Sequence, residues 1–315
     1  MLSIRIPIQI HSGCYLSGRL YFVYLFFFMG LFHGQAARCQ KRAAFLGCIV
    51  LQKNQQVIID SILPFSTFST LACQKGDAIF SRGGRMIIQI EDYQKIASKL
   101  REGDKVDCVF HREDKKIETS TMAIAKPLLQ SAEMNIEYDW ISFRNGYLRS
   151  IVYKPLQMSA NTPAVLLIPG YNCGSIENFL ASYNGALIRN WVKLGMTVVT
   201  IEKSGVGDSY ACVPCVEVDL QTDIESFTAG YLYMKHLPNI DTNKLFIWGH
   251  SMGGTIAPEI AKVHHPAGVM VYGCVYRPWS EFLLEMHRVQ KPLLDGLSFV
   301  ETEKFIKDIT PIYQD

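Results

Sequence analysis

The sequence predicts an α/β protein in which a mostly parallel, doubly wound sheet follows a small β-rich α+β domain. From Ile136 onward, short apolar runs alternate with helix-length segments, which is typical of a parallel sheet covered by helices on both faces. Between residues 43 and 130, short strands and glycine turns surround one helix-like stretch. A third observation is the motif G-x-S-x-G around Ser251, which directly follows an apolar run at residues 245–248.

The composition is that of a folded globular protein. The 315 residues are 49% hydrophobic and 19% charged, which excludes a disordered polar chain. This length leaves room for about two domains. The formal net charge of +2 gives no reason to expect a nucleic acid or an anionic membrane surface as a partner.

The N-terminus predicts export. Arg5 and Arg19 precede an apolar run at residues 20–32, which is about thirteen residues long. Such a run is too short to span a bilayer but fits the core of a signal peptide. Because small residues suited to cleavage surround Ala36, we predict a signal peptide at 1–36 and a periplasmic or extracellular mature chain without a membrane span. The alternative is a retained membrane anchor.

The segment 43–130 is predicted to contain five strands and one helix. The alternating or apolar runs that predict strands are 45–50, 57–62, 74–80, 108–112 and 116–123, and the predicted helix is 90–100. The segment resembles a bacterial PDZ domain in its motifs 75–80 (KGDAIF), Gly83-Gly84 and 102–106 (EGDKV). This resemblance implies a peptide-binding groove in which the loop Phe45-Leu46-Gly47 holds the C-terminal carboxylate of a peptide. The alternative is a module that only packs against its neighbour.

The segment 136–315 is predicted to begin with a hairpin and to continue with alternating strands and helices. The hairpin strands, 136–143 and 148–153, flank a turn at Asn145-Gly146. Further predicted strands are 165–168, 198–201, 245–248 and 269–272. Predicted helices are 176–194, with a break near Asn184-Gly185, then 220–236 and 255–263. Residues 279–315 predict helices only, the beginning of a lid.

Ser251 lies where a strand turns sharply into a helix. Glycines at positions 249 and 253 allow the close backbone contacts of such a turn, and the serine is then held in a strained conformation above the sheet. The following helix N-terminus favours negative charge beside it. The motif therefore predicts a nucleophilic serine, against the alternative of an ordinary glycine-rich turn.

Three segments together resemble the α/β-hydrolase family. They are the loop from Ile168 to Tyr171 after the third strand, 202–209 (EKSGVGDS) after the fourth, and the turn around Ser251 after the fifth. The resemblance implies that Ser251 attacks a carboxylic ester and that the backbone N–H groups of Tyr171 and Met252 bind the resulting oxyanion. It also implies that the side chain of His250 packs away from Ser251. No metal and no organic cofactor is implied.

The acid and the histidine of a catalytic triad are missing from their expected places. In this family they follow Ser251 on later strands. His264 and His265 end the next helix, at the opposite edge of the sheet, and His287 lies in the predicted lid. Glu281 is a weak stand-in for the acid. We therefore expect a truncated hydrolase that is inactive alone.

An exported chain permits disulfides among its cysteines. Cys173 and Cys215 both fall on loops at the carboxyl edge of the sheet, so a bond between them is expected, with Cys212 as the alternative partner. The pair Cys212 and Cys215 also has thioredoxin-like C-x-x-C spacing, but the surrounding pattern is not thioredoxin-like. Cys48, Cys108 and Cys274 are predicted to be buried thiols.

Two functions follow from the sequence. The first is a serine esterase acting through Ser251, for which acyl transfer or peptide cleavage would use the same residues. The second is a catalytically inactive hydrolase-fold protein that binds peptides through its PDZ-like domain. Expected partners are a small ester substrate and, at the PDZ-like domain, a peptide C-terminus.

Overall fold

A computed structural model describes residues 41–113, 115–210 and 213–313. The predicted signal peptide at 1–36 and the alternative disulfide partner Cys212 lie outside the described residues. The rest contains two six-stranded sheets, one on each side of residue 130. No helix of the described residues has both the length and the apolar composition required to cross a membrane.

The N-terminal sheet has the order β1-β2-β3-β5-β6, with the short β4 paired to β3. In β5 the inward positions Val106, Cys108 and Phe110 alternate with more exposed ones, as expected for a sheet with one buried face. Phe68 and Tyr93 also belong to this buried core. The strand bounds are β1 Cys48–Lys53, β2 Gln56–Ile62, β3 Ala78–Arg82, β4 Arg85–Met86, β5 Lys105–Arg112 and β6 Lys115–Met122.

The C-terminal sheet has the order β12-β11-β9-β10-β8-β7. Strands β9 to β12 pair in parallel, β8 is antiparallel to both of its neighbours, and the mixed α/β class predicted from the sequence is present. The central strand β10 is buried at every position, including Thr197 and Thr200, as expected for a strand that is covered on both faces. The bounds are β7 Asn135–Phe143, β8 Gly146–Lys154, β9 Thr162–Ile168, β10 Thr197–Ile201, β11 Ile240–His250 and β12 Gly268–Tyr272.

Six α-helices accompany the sheets in the described residues. They are α1 Ile90–Ala97, α2 Tyr183–Lys193, α3 Leu220–Lys235, α4 Met252–His264, α5 Trp279–Asp295 and α6 Phe299–Ile309. Helix α1 covers the N-terminal sheet, while α3 and α4 pack on the core of the C-terminal sheet. Helices α5 and α6 form a hairpin joined through Gly296, whose φ is +69°.

Two details of the sequence-based assignment are wrong. The helix predicted at 176–194 breaks at Ser182 and not at Asn184-Gly185, because the Ser182 hydroxyl accepts from the N–H of Asn184 and begins α2 there. A 3-10 helix, Ile176–Ala181, precedes it. The hairpin turn comprises Arg144 and Asn145, with φ +49° at Arg144, so Gly146 already belongs to β8.

Strand β12 is the exposed edge of the C-terminal sheet. Within the described residues it pairs only with β11, and Val271 and Tyr272 are 45% and 69% exposed. Cys274 follows this strand and is exposed as well, so its prediction as a buried thiol is wrong. Cys108 is buried as predicted, and Cys48 is half-buried.

Candidate active site

Ser251 lies on a strained turn between β11 and α4. Its φ and ψ are +54° and −119°, a backbone region that residues other than glycine rarely occupy. A Cβ atom on Gly249 would come within 2.2 Å of the Gly253 carbonyl oxygen, and one on Gly253 within 2.3 Å of the Ile168 oxygen. The N–H of Ser251 donates to the Tyr272 carbonyl at 3.0 Å. The two motif glycines are therefore required sterically, as the sequence predicted.

The loop 170–174, hereafter the oxyanion loop, packs directly against Ser251. A Cβ atom on Gly170 would lie 3.0 Å from the Ser251 Cβ and 3.4 Å from its Oγ. Tyr171 is next in the loop, and Met252 follows the serine as the first residue of α4. Neither N–H group donates to an acceptor among the described residues.

The oxyanion loop is held by its own hydrogen bonds and by a disulfide. The Asn172 side chain donates from Nδ2 to the Gly170 carbonyl at 3.2 Å and accepts from the Gly174 N–H at 2.9 Å. Cys173 forms a disulfide with Cys215, with their Cα atoms 5.9 Å apart. The bond joins the loop after β9 to the segment that precedes α3, and it is the pair expected from the sequence.

Glu202 forms a second connection, through hydrogen bonds, between the segment that follows the oxyanion loop and Asp208. This residue follows β10 and is fully buried. Its Oε1 accepts from the Ile176 N–H at 3.2 Å, two residues beyond the oxyanion loop, and its Oε2 accepts from the Asp208 N–H at 3.0 Å. Burial raises the pKa of Glu202 to about 7, and the negative charges of Asp208 and Glu177 act in the same direction.

An ion cluster connects this region to the N-terminal segment. The Arg42 guanidinium contacts Asp208 at 2.6 Å through Nε and Glu177 at 3.0 Å through Nη2. The Ala43 N–H donates to the other Asp208 oxygen at 2.7 Å. Burial lowers the pKa of Arg42, but Asp208 and Glu177 outweigh it, so the pKa is raised overall. Arg149 lies 3.7 Å from Asp208 and completes the cluster.

The histidines do not assemble a catalytic base at Ser251. His250 Nδ1 lies 2.9 Å from the Tyr183 hydroxyl, and its ring stacks on Trp248 and Tyr272. His264 and His265 end α4 as predicted. His287 lies on α5 with its ring against Phe305. Within 41–113, 115–210 and 213–313, no side chain hydrogen bonds to Ser251 Oγ.

The predicted peptide loop lies at the start of β1. The Phe45 N–H is already bonded to the Ile124 carbonyl at 2.7 Å, whereas the N–H groups of Leu46 and Gly47 have no acceptor in the described part of the chain. Gly47 has φ +60°, and a Cβ there would lie 2.2 Å from the Ser66 Cβ. The loop therefore needs glycine at this position and offers two unpaired donors.

Sequence analysis missed the roles of Glu202 and Arg42. Glu202 was noticed only as the first residue of a glycine-rich loop, and Arg42 only as a charge after the leader. An acid at the carboxyl end of a mostly apolar strand was the available signal for Glu202, because a carboxylate buried there needs hydrogen-bond partners. Nothing local indicates the partners of Arg42, which come from residues 177 and 208.

Comparisons with known proteins find similarity over parts of the chain. No protein-family model matches it. A curated relative, the polyketide transferase claH of Penicillium crustosum, is 23% identical over 120 residues, 38% of each chain. The carboxylesterase EstE1 from a metagenomic library is 20% identical, with a TM-score of 0.40, over 51% of this chain and 55% of its own.

A third match has the same character. The α/β serine hydrolase XC6422 of Xanthomonas campestris, described as lacking a lid, is 19% identical, with a TM-score of 0.35, over 46% of this chain and 63% of its own. The chain thus spans less than two thirds of the length of each of these proteins. On its own strand order and its turn at Ser251, residues 135–272 form the mixed α/β sheet that the α/β-hydrolase resemblance predicted.

Proposed function

We propose that this protein is a serine hydrolase that cleaves carboxylic esters through Ser251. The observation that carries the proposal is the position of Ser251. It occupies a strained turn at the start of α4, where a Cβ atom on Gly170 would lie 3.0 Å from its own, and the N–H groups of the neighbouring Tyr171 and Met252 have no acceptor in the described residues. Strained backbone persists where the surrounding structure enforces it, and such strain is concentrated at functional sites.

The reaction follows from this geometry. The Oγ of Ser251 attacks the ester carbonyl carbon, and the carbonyl oxygen becomes negatively charged between the N–H groups of Tyr171 and Met252. Collapse of this intermediate expels the alcohol and leaves an acyl group on Ser251. Water then releases the acid, while another alcohol or an amine would instead give acyl transfer. Loss of one oxyanion donor typically costs about a hundredfold to a thousandfold in rate.

Ester hydrolysis also requires a group that removes the Ser251 proton. No side chain of the described residues hydrogen bonds to Oγ, and His250 Nδ1 lies 2.9 Å from the Tyr183 hydroxyl instead. Full turnover therefore depends on a proton acceptor supplied from elsewhere. Imidazole in solution is a suitable substitute, because it is small enough to enter an open site and has the pKa of a histidine side chain.

Covalent labelling of the 315-residue chain tests the proposal. We expect a fluorescent alkyl fluorophosphonate to label the protein slowly, to do so faster when imidazole is added, and to leave Ser251→Ala unlabelled. Gel fluorescence over time measures the rates. Absence of labelling with and without imidazole, or equal labelling of Ser251→Ala, would contradict a nucleophilic Ser251 and favour a catalytically inactive domain.

A second candidate function is peptide binding at the N-terminal sheet. The specific observation is the open edge of β1, which pairs only with β2 among the described strands and carries Ile49 and Leu51 at 47% and 54% exposure. Helix α1 runs beside this edge, with Gln52 bonded to both Ile88 and Ile90. An extended peptide could add to the edge as a further strand, with its carboxylate near Leu46 and Gly47.

Fluorescence anisotropy separates this function from the first. A fluorescein-labelled pool of random decapeptides with free C-termini is expected to bind, and the same pool with amidated C-termini to bind at least about tenfold more weakly, because the charged hydrogen bonds are lost. Equal affinity for the two pools, or no affinity for either, would exclude carboxylate recognition at this loop.

Export is the third part of the proposal. The Cys173–Cys215 disulfide supports an oxidising compartment, since such bonds are rare in reducing cytoplasm. In a host that secretes the full chain, maleimide-polymer gel shifts are expected to show both thiols blocked in the exported fraction. Free thiols at both positions in that fraction would contradict this part.

A further inference from the structure

The oxyanion loop is tied at one end to a carboxylate and not only to a disulfide. Glu202 accepts hydrogen bonds from the N–H groups of Ile176 and Asp208. A Cβ atom on Gly207 would lie 2.3 Å from the Glu202 Oε1, so the loop 202–209 closes tightly over the carboxylate. These donors come from two different loops, and Glu202 is the group that joins them.

From this arrangement we infer that Glu202 is a positioning residue for the oxyanion donor Tyr171, and that the N-terminal segment fixes Glu202 through Arg42 and Asp208. The inference rests on the proposed function, because it assigns a role within the same site. It adds a residue that touches neither the substrate nor Ser251, and it gives the N-terminal segment a part in the chemistry.

The charges around Glu202 explain why its hydrogen bonds depend on ionisation. Asp208 and Glu177 are negative and lie close enough to oppose its charge, and the Tyr153 hydroxyl is also near. Arg42 and Arg149 are directed at Asp208 and do not pair with Glu202. The neighbouring Lys203 contacts Asp223 at 2.8 Å instead. No ion pair to Glu202 exists in the described residues, so backbone donors alone hold its carboxylate.

Protonation of Glu202 therefore changes the hydrogen bonds that its carboxylate accepts from Ile176 and Asp208. An ionised carboxylate accepts hydrogen bonds on both oxygens, whereas a protonated one carries an O–H donor on one of them. That oxygen then faces an N–H donor and its acceptor bond is weakened. The segment from Ser175 to Ile176 directly follows the oxyanion loop, so its displacement is passed to Tyr171 along a short length of chain.

The route to the N-terminal segment consists of direct contacts. Asp208 donates its N–H to Glu202 and accepts from the Ala43 N–H at 2.7 Å and from Arg42 at 2.6 Å. Arg42 is itself bonded to the Lys126 carbonyl, near the end of the N-terminal domain. These contacts therefore join residues 42, 43 and 126 to Asp208 and, through its N–H, to Glu202.

Amide spectroscopy tests the inference without requiring catalysis. With 15N-labelled isoleucine and tyrosine, we expect the amide resonances of Ile176 and Tyr171 to shift together with a midpoint near pH 7, the pKa of Glu202. Assignments come from Ile176→Val and Tyr171→Phe. Both shifts should vanish in Glu202→Gln and persist in Glu259→Gln, a control at an exposed acid on α4.

The following outcomes would overturn or narrow the inference. A Tyr171 amide that does not titrate in the unsubstituted protein would overturn the inference, and so would a titration that survives in Glu202→Gln. If Glu202→Gln does not fold, Arg42→Lys replaces it. That variant keeps the charge but loses the second contact of the guanidinium, so we expect it to move the midpoint, and an unmoved midpoint would remove Arg42 from the account.

Labelling of Ser251 supplies the functional measurement. At pH 8 with imidazole, Glu202→Gln is expected to be labelled about ten to a hundred times more slowly than the unsubstituted chain, because displaced donors lose much of their effect. Glu259→Gln should be labelled at the original rate. An unlabelled parent chain would refute the proposed function but not the amide titration, whereas equal labelling of parent and Glu202→Gln would refute the inference alone.

Discussion

The two sides of Ser251 are built differently. On the side of the oxyanion loop, a disulfide, a buried carboxylate and an ion cluster join segments that are far apart in the sequence. On the side of β12 and the α5–α6 hairpin, large apolar side chains face outward. Tyr272 is 69% exposed, and Leu293 and Phe299 are 80% and 79% exposed. The first side is joined to distant parts of the sequence by covalent and polar contacts, whereas the ion pairs of the second, such as Arg288–Glu303 and Lys291–Asp295, lie within the hairpin itself.

This difference separates two requirements of catalysis. Stabilising a developing oxyanion needs donors that are already in place, because reorienting them during the reaction would cost free energy. Under the proposed function, the oxyanion loop satisfies that requirement, because its disulfide and hydrogen bonds hold it in place. Removing a proton needs a base at Ser251 Oγ, and the described residues on the open side do not provide it. Under the proposed function, the described residues therefore supply the oxyanion donors of an active site and not its base.

The largest effect on stability is expected from removing the Cys173–Cys215 disulfide. Cys173→Ser and Cys215→Ser should each lower the free energy of unfolding by about 4 kcal/mol, because the bond closes a loop of 42 residues. Urea denaturation measures the change. Cys274→Ser, at an exposed free thiol, is the matched control and should change stability by less than about 0.5 kcal/mol. Equal effects of all three variants would show that the disulfide does not stabilise the folded protein.

The next effect concerns Glu202 and pH. Burial raises its pKa, so the folded protein keeps a proton that the unfolded chain releases between about pH 5 and pH 7, and the free energy of unfolding falls as pH rises through this window. Glu202→Gln lacks this contribution. Relative to the parent, the variant should gain up to about 3 kcal/mol between pH 5 and pH 8. If the free energies of unfolding of the two proteins changed in parallel with pH, the raised pKa would not belong to Glu202.

A smaller change should act on labelling more than on stability. In Gly170→Ala the added methyl group would lie 3.0 Å from the Ser251 Cβ and 3.4 Å from Oγ, so the oxyanion loop must move away from the serine. We expect fluorophosphonate labelling to slow by about tenfold to a hundredfold. The thermal midpoint should change little. A labelling rate within twofold of the parent would indicate that the loop does not contribute a donor.

The smallest effect is expected on the open side. Leu293→Ser and Phe299→Ser replace apolar side chains that are about four-fifths exposed, and each should change the free energy of unfolding by less than about 0.5 kcal/mol. They should also increase solubility, since an exposed apolar patch favours association. A loss of several kcal/mol, measured by urea denaturation, would show that this surface is covered in the folded protein.

The fold was more predictable from sequence than the site. The residues 164–168 of β9 form a continuous apolar run, and the turn at Ser251 requires two glycines at fixed spacing, so both are local signals. The helix break at Ser182 was placed two residues late, at Asn184-Gly185. In fact a Cβ there would lie 2.3 Å from the Leu180 carbonyl oxygen, so the glycine serves a close contact.

The ties around the oxyanion loop were only partly predictable. The disulfide follows from the order of the loops along one edge of the sheet. The Arg42–Asp208 contact joins residues separated by 166 positions, and no periodicity or motif encodes such a pair. Cys274 was misassigned because its apolar surroundings in the sequence belong to β12, an edge strand with little cover in the described residues.

Mapping the site of covalent modification tests the central claim most directly. After treatment with fluorophosphonate and imidazole, trypsin should release the peptide 245–262 with the mass of one phosphonyl group added, and fragmentation should place that group on Ser251. Under the same conditions Ser251→Ala should yield an unmodified peptide. An adduct on another residue, or an unmodified 245–262 peptide from the unsubstituted chain, would contradict a preorganised nucleophilic site at Ser251.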